Sequence, residues 1–503
     1  MRSAFTRPNV WLTLCGVVFI LAGCDRSKSD EARETGAVTT ANQGKVPVTT
    51  GSEEARQLQA EGLRLADQLR PHEAGQLFEK AVAKDPNFAM AHFNLAQASP
   101  NAKETTEHLN RAVALSDKAS EGERLTILAF QAINNGDPAK WLEYSKQLVA
   151  AYPEDERAHA ALGNVYFFGE QDYEGARDEL QKAIDVEPNF APAYNMLGYS
   201  HSALGDYPEA ETAFKKYIEL VPNDPNPYDS YAELLLRTGK FDESIKQYQK
   251  ALSIDPHFVA SHFGIAANHM YQGKHNQALA EADKLDKAGQ NDADRRLGLL
   301  TKALVYVDQG KNDAALKEIQ KRYELAAKIG DTVTMAGDVE TMGDILLHAG
   351  RPDEAAKRYE QASSLVAKSS RSQEAKDDAA LAHHYNLGRV ALAKKDLAAA
   401  KTHAAAYLDG AKAKDSEFRT REAHKLAGKI AKAEKNYDQA IAELAQANQL
   451  DPSVLYATGS AYEGKGDQAK AAEFRRQATE LYTLPTLNHA FVRAKARKAA
   501  AGA

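Results

Sequence analysis

Large and small apolar positions recur along this chain every 34 residues. In one copy stand Tyr194, Leu197, Gly198, Gly205, Tyr207, Ala210, Phe214 and Pro222. Tyr228, Tyr231, Ala232, Gly239, Phe241, Ser244, Tyr248 and Pro256 follow 34 residues later in the matching slots. Apolar residues three and four apart share one face of a helix. A glycine breaks each copy near its middle, and a proline closes it, because proline lacks the N–H that a helix needs and disfavours helix before it. Each copy therefore predicts two helices joined by a turn, a hairpin that can bury its apolar face only against neighbouring hairpins.

Less regular copies extend the pattern in both directions. Gly62, Ala74, Phe78, Ala81 and Pro86 mark the first, and Gly163, Tyr166, Ala176, Leu180, Ala183 and Pro188 a fourth that carries one extra residue, assigned to its turn. Gly343, Gly350, Ala355 and Tyr359, then Gly428, Tyr437, Ala440, Leu444 and Pro452, continue it. About twelve hairpins fit between residues 54 and 481, which predicts an all-α chain. Residues 287–294, 366–379 and 408–418 depart from the period and read as lengthened helices or longer connections. They divide the array into residues 54–286 and 292–481, and a basic tail, 482–503, follows as a solvated end.

The series large, large, small, large, small, large, small, proline resembles the tetratricopeptide repeat. The resemblance implies an α-α superhelix in which the first helix of each unit lines a concave groove through its positions 2, 5, 9, 12 and 13. Carried across, those positions are Asn164, Phe167 and Phe168 in the fourth unit, and Asn195, Tyr199 and Ser202 in the fifth. They are Asp229, Glu233 and Arg237 in the sixth, and Phe263, Met270 and Tyr271 in the seventh. Aromatic anchors beside amide and charged groups suit a peptide-binding surface, although Phe167, Phe168 and Phe263 also suit packing between units.

The N-terminus adds an address. Arg2 and Arg7 precede an apolar run from Val10 to Ala22, which is short for a membrane span and has the layout of an export signal. It ends in Leu21-Ala22-Gly23-Cys24, which resembles the lipobox of bacterial lipoproteins. That resemblance implies removal of residues 1–23, acylation of Cys24 and a protein held on the periplasmic side of a membrane. Asp25 resembles the signal for retention in the inner membrane. Residues 24–53 are polar, lack aromatic residues and read as a flexible linker.

Composition removes several function classes. Net charge is −7 over 503 residues, and −9 once Arg2 and Arg7 are lost, which argues against binding to a nucleic-acid backbone. The two cysteines, Cys15 and Cys24, leave the body of the chain without a disulfide. Gly459 to Gly466 approaches a phosphate-binding loop but has glycine where serine or threonine is required, and it falls on repeat positions. No His-x-x-x-His pair offers two imidazoles on one helical face, and no catalytic constellation is present. The expectation is a scaffold without cofactor or metal, with protein or peptide partners in the groove and an envelope glycan as the alternative ligand.

Overall fold

A computed structural model describes residues 44–68, 70–99, 101–369, 371–414 and 416–501. The proposed signal, Cys24 and Asp25 lie outside these residues. The described residues are helical throughout and contain no strand.

The chain forms two compact units, divided between Pro222 and Asn223 except that Asn101–Lys103 group with the second. The first contains α1 (Glu53–Asp67), α2 (Pro71–Lys84), α3 (Ala89–Ala98), α4 (Ala102–Leu115), α5 (Glu121–Asn135), α6 (Pro138–Ala151), α7 (Glu156–Asn164), α8 (Tyr173–Val186), α9 (Ala191–Leu204) and α10 (Tyr207–Leu220). The second contains α11 (Pro225–Arg237), α12 (Phe241–Ile254), α13 (Val259–Tyr271), α14 (His275–Ala288), α15 (Asp292–Asp308), α16 (Asn312–Lys328), α17 (Thr332–His348), α18 (Pro352–Ala367) and α19 (Gln373–Ala393). It continues with α20 (Leu397–Ala413), α21 (Glu417–Ala433), α22 (Tyr437–Ala445), α23 (Pro452–Lys465), α24 (Gln468–Thr479) and α25 (Leu487–Ala501). Within each unit successive helices pack as hairpins, and hairpins pack on one another. Among the described residues, helix α25 has no hairpin partner of its own.

The repeat chemistry explains each hairpin. Side chains of Asp155, Asp172, Asn291, Asp396 and Asp467 accept from the free N–H groups of the helices they precede. Ser120 and Glu123 form a reciprocal capping box on α5. Gly205 ends α9 at φ 90°, a left-handed backbone that a side chain would strain. Inside the hairpins a small residue on the first helix admits a large one from the second. A Cβ on Gly343 would lie 2.6 Å from the ring of Tyr359, which is buried and donates its hydroxyl to Asp344 Oδ1 at 2.8 Å.

Two features differ from the sequence-based expectation, and a third settles an alternative that it left open. The extra residue of the fourth unit enters the helix itself, as a π-helical turn over Val165–Glu170 that closes at Gln171 with φ 57°. Gly163 and Leu180 are 17 residues apart, one more than Gly198 and Phe214, and the wider i→i+5 turn absorbs the difference. Residues 44–52 are pinned to the first unit. Val46 is buried beside Leu125 and Leu148 and donates its N–H to Asp155 at 2.9 Å, and Thr49 donates to Glu123 at 2.8 Å. The irregular stretches 287–294, 366–379 and 408–418 take the first of the two expected forms: helices α15 to α21 run 16 to 21 residues, against 9 to 15 elsewhere, with short connections between them.

Candidate functional site: the inner positions of the repeats

The proposed groove residues divide between the two units. In the first, Asn164 ends α7 and Phe167 and Phe168 sit on the π-helical turn. Asn164 and Phe168 are buried, whereas Phe167 is half-buried, edge-on to Phe168 at 4.7 Å and to Tyr173 at 5.2 Å. One turn into α9, Asn195 is half-buried and its carboxamide oxygen accepts no hydrogen bond from the described residues. Tyr199 lies one turn further on, half-buried and edge-on to Phe214 at 5.2 Å.

In the second unit Asp229 is buried and accepts a hydrogen bond from Ser261 Oγ at 2.6 Å. Burial pushes its carboxyl up to about 7, against the opposing effect of that hydrogen bond. Glu233 and Arg237 are half-buried. Phe263 and Met270 are each 1% exposed, part of a core shared by helices α13 to α17. Tyr271 is also buried, and the reason is the end of the chain.

The tail expected in solvent returns to the second unit as helix α25 and packs on α15, α23 and α24. Leu484, Ala490 and Phe491 join the core that holds Phe263, Met270 and Tyr271. Tyr271 donates its hydroxyl to the Thr483 carbonyl at 2.7 Å and stands edge-on to Tyr482 at 5.3 Å. Arg493 lies over the Tyr271 ring at 5.0 Å and donates to the Met270 and Tyr271 carbonyls.

At the centre is Asp308, whose side chain has no exposed surface. It receives Arg493 Nε at 3.0 Å, Arg497 Nη2 at 2.9 Å and His275 Nε2 at 2.7 Å. Burial pushes its carboxyl up, but the His275 hydrogen bond and the Arg493 charge outweigh this and hold it below the usual carboxylate range. Further along, Phe491 stacks on His348 at 4.2 Å with 22° between the rings, and Asn488 donates to both oxygens of Asp451. Asp308 and His348 were not among the residues carried across from the repeat. The signal was present: Gly239, Gly273, Gly310 and Gly350 share one turn slot, and two residues before each stand Arg237, Tyr271, Asp308 and His348. They occupy the same thirteenth position in four successive units.

Models of the tetratricopeptide repeat match residues 60–107, 167–234 and 235–303. The chain thus carries tetratricopeptide repeats in an all-α solenoid fold. Anaphase-promoting complex subunit 3 of Schizosaccharomyces pombe is 22% identical over 276 residues, 54% of this chain and 41% of that protein. A bovine (Bos taurus) SGT1 homolog is 39% identical over 83 residues, 16% of this chain and 22% of its own. The chain thus spans less than half the length of these curated relatives. Among solved structures, a tetratricopeptide repeat protein from Parabacteroides merdae aligns over 56% of this chain and all of its own, at 15% identity and a TM-score of 0.33.

Proposed function

We propose that this protein is a scaffold that binds protein partners along the inner positions of its repeats, tethered to a cell-envelope membrane through an acylated Cys24 and facing the periplasm. The observation that carries the binding role is the inner surface of the first unit. There Asn195 and Tyr199 stand one helical turn apart, both half-buried, the Asn195 carboxamide oxygen itself buried and without a donor among the described residues. A rigid ring supplies apolar area at small entropic cost, and an amide fixes the register of an extended peptide. Arabidopsis Hsp70-Hsp90 organizing protein 3, 31% identical over 117 residues, and the peroxisomal targeting signal receptor of Kluyveromyces lactis, 24% identical over 211, carry names that describe work on other proteins.

The tether rests on the Leu21-Ala22-Gly23-Cys24 motif alone. Several acyl chains on one residue hold a protein on a bilayer far more firmly than a single chain, because each buried methylene contributes about 0.8 kcal/mol. The binding test is crosslinking in intact cells. Asn195→Ala with Tyr199→Ala lowers the yield of captured proteins by at least tenfold if the reading is right, and equal capture by the variant refutes it. The tether is tested separately by incorporation of a labelled fatty acid, which Cys24→Ala abolishes; a wild-type protein that takes up none refutes the anchor.

A further inference from the structure

We propose that the inner wall of the second unit is a receptor for a basic helix, that α25 is its resident ligand, and that a partner engages this wall by presenting a helix with an aromatic residue followed two and six residues later by arginine. The proposal rests on the reading of the inner wall as the binding face and names what that face accepts.

Three observations lead to it. First, α25 is not part of a repeat hairpin. It is joined to the array through residues 480–486, beyond the last hairpin, and meets the repeats at the thirteenth inner positions Tyr271, Asp308 and His348. Second, the contacts are of a kind that selects a ligand. Asp308 is fully buried, and a buried carboxylate requires cationic partners; Arg493 and Arg497, one turn apart on a single face, supply two of its three. Arg493 also reads the Met270 and Tyr271 carbonyls and stacks on the Tyr271 ring, so a lysine does not reproduce its contacts. Phe491 fills a separate slot against His348. Third, three lysines near this face have ammonium groups that burial and neighbouring cations disfavour: Lys429 and Lys432 on α21, and Lys495 on α25 itself. After burial, Lys429 is opposed by Lys425, Arg389 and Lys495 and favoured by Asp451, and Lys495 is opposed by Lys432 and Arg389, so cations crowd one end of the α25 berth.

A tethered ligand holds its site at an effective concentration of about 1 mM. If the resident helix has an intrinsic Kd of about 10 μM, a competing helix binds the intact chain roughly 100-fold more weakly than a chain whose own helix is disabled.

The test uses full-length protein and a fluorescent peptide of residues 484–498. Full-length Arg493→Ala/Arg497→Ala is expected to bind the peptide at least tenfold more tightly than wild type. Adding Asp308→Asn to that variant abolishes binding, and a peptide with both arginines changed to lysine binds at least tenfold more weakly. The proposal falls if the arginine variant keeps its helical circular dichroism and melting temperature yet binds no peptide at 500 μM, or if wild type and variant bind alike. Should the variant fail to fold, amide exchange in wild-type protein decides. Exchange of α25 amides well before those of α13 and α15 supports a displaceable ligand, and exchange of all three together refutes it. Loss of this peptide site leaves capture through Asn195 and Tyr199 unaffected, so the two readings fail separately.

Discussion

At the level of single residues, charge neighbourhood decides the sign of an effect that burial alone would leave equal. Lys425 and Lys429 stand one turn apart on α21. Lys425 is buried against Glu422 at 2.7 Å and Asp451 at 3.1 Å. Burial pushes its ammonium down, but the Glu422 charge outweighs this and raises it. Lys425→Met strands two buried carboxylates and should destabilise the protein by about 3–5 kcal/mol in urea unfolding. Lys429 is pushed down to about 7 by burial and by Lys425. Its charged form is disfavoured in the folded chain, so stability rises with pH between about 7 and the free-lysine value. Lys429→Met should therefore raise the melting temperature at pH 7, and a drop would contradict the account.

Histidines show the same dependence on neighbours. One hairpin slot pairs His159 with Glu179 at 2.7 Å, His262 with Glu281 at 2.6 Å, and His424 with Glu443 at 2.7 Å. For His159 burial lowers the pKa, but the Glu179 and Pro153 hydrogen bonds outweigh it; for Glu179 burial raises the pKa, but His159 and Lys182 lower it further. The raised histidine stabilises below its free value near 6.5, and the lowered glutamate above its free value near 4.5. His159→Gln should thus cost most between those values and least at pH 9, as read from melting curves.

At the level of elements, the repeat tolerates insertion only by changing helix type or helix length. The π-helical turn at Val165–Glu170 is an extra residue stored inside a helix, and it carries the Phe167–Phe168 pair. Deleting Glu170 should return α7 to a plain α-helix, with the melting temperature held within a few degrees and Phe167 shifted about its axis, as seen by quenching of a nearby probe. The small positions have no such tolerance. Gly343→Ala drives a methyl into the buried Tyr359 ring and should cost about 1–3 kcal/mol. The period makes these hairpins legible in the chain alone: a glycine or alanine at the eighth slot and a large residue sixteen positions on are visible as letters. The π turn is not legible in that way, because a single insertion is compatible with a longer loop or a wider helix, and the choice depends on how Gly163 meets Leu180.

At the level of the whole molecule, the second unit closes on its own terminus, and the closure is sensitive to acid. His348 is pushed down to about 4 by burial and by Lys495, and His489 down to about 3 by burial. Other charges facing His489 are Asp451, Arg237 and Arg493, and its ring also meets the Thr483 and Thr486 hydroxyls. Both imidazoles are neutral when α25 is seated. Above about pH 6.5 they are neutral when it is released too, and they impose no penalty. As pH falls from 6.5 toward 4 the released state gains protons that the seated state refuses. Amide protection of α25 should drop by tenfold or more between pH 7 and 5, while that of α13 stays level. Asp308 acts in the opposite sense, contributing above the free carboxylate value and losing its contribution only below it.

The chain by itself determined the hairpin, the all-α class and which residues share a repeat slot, because those follow from local periodicity, from glycine and proline at fixed offsets, and from the spacing of 34. The resemblance to the repeat assigned Tyr271, Met270 and Phe263 to a groove. What covers them was decided only by the tertiary structure. Residues 482–501 read alone as a polar, basic end, since a helix with two arginines and one phenylalanine has no evident reason to bury itself. The reason is Asp308, 185 residues away from Arg493, whose buried charge is framed by His275 of α14 and exists as a site only when α14 and α15 have packed. Periodicity reports which residues share a face; it carries no information about which distant segment will have the charges to fill it.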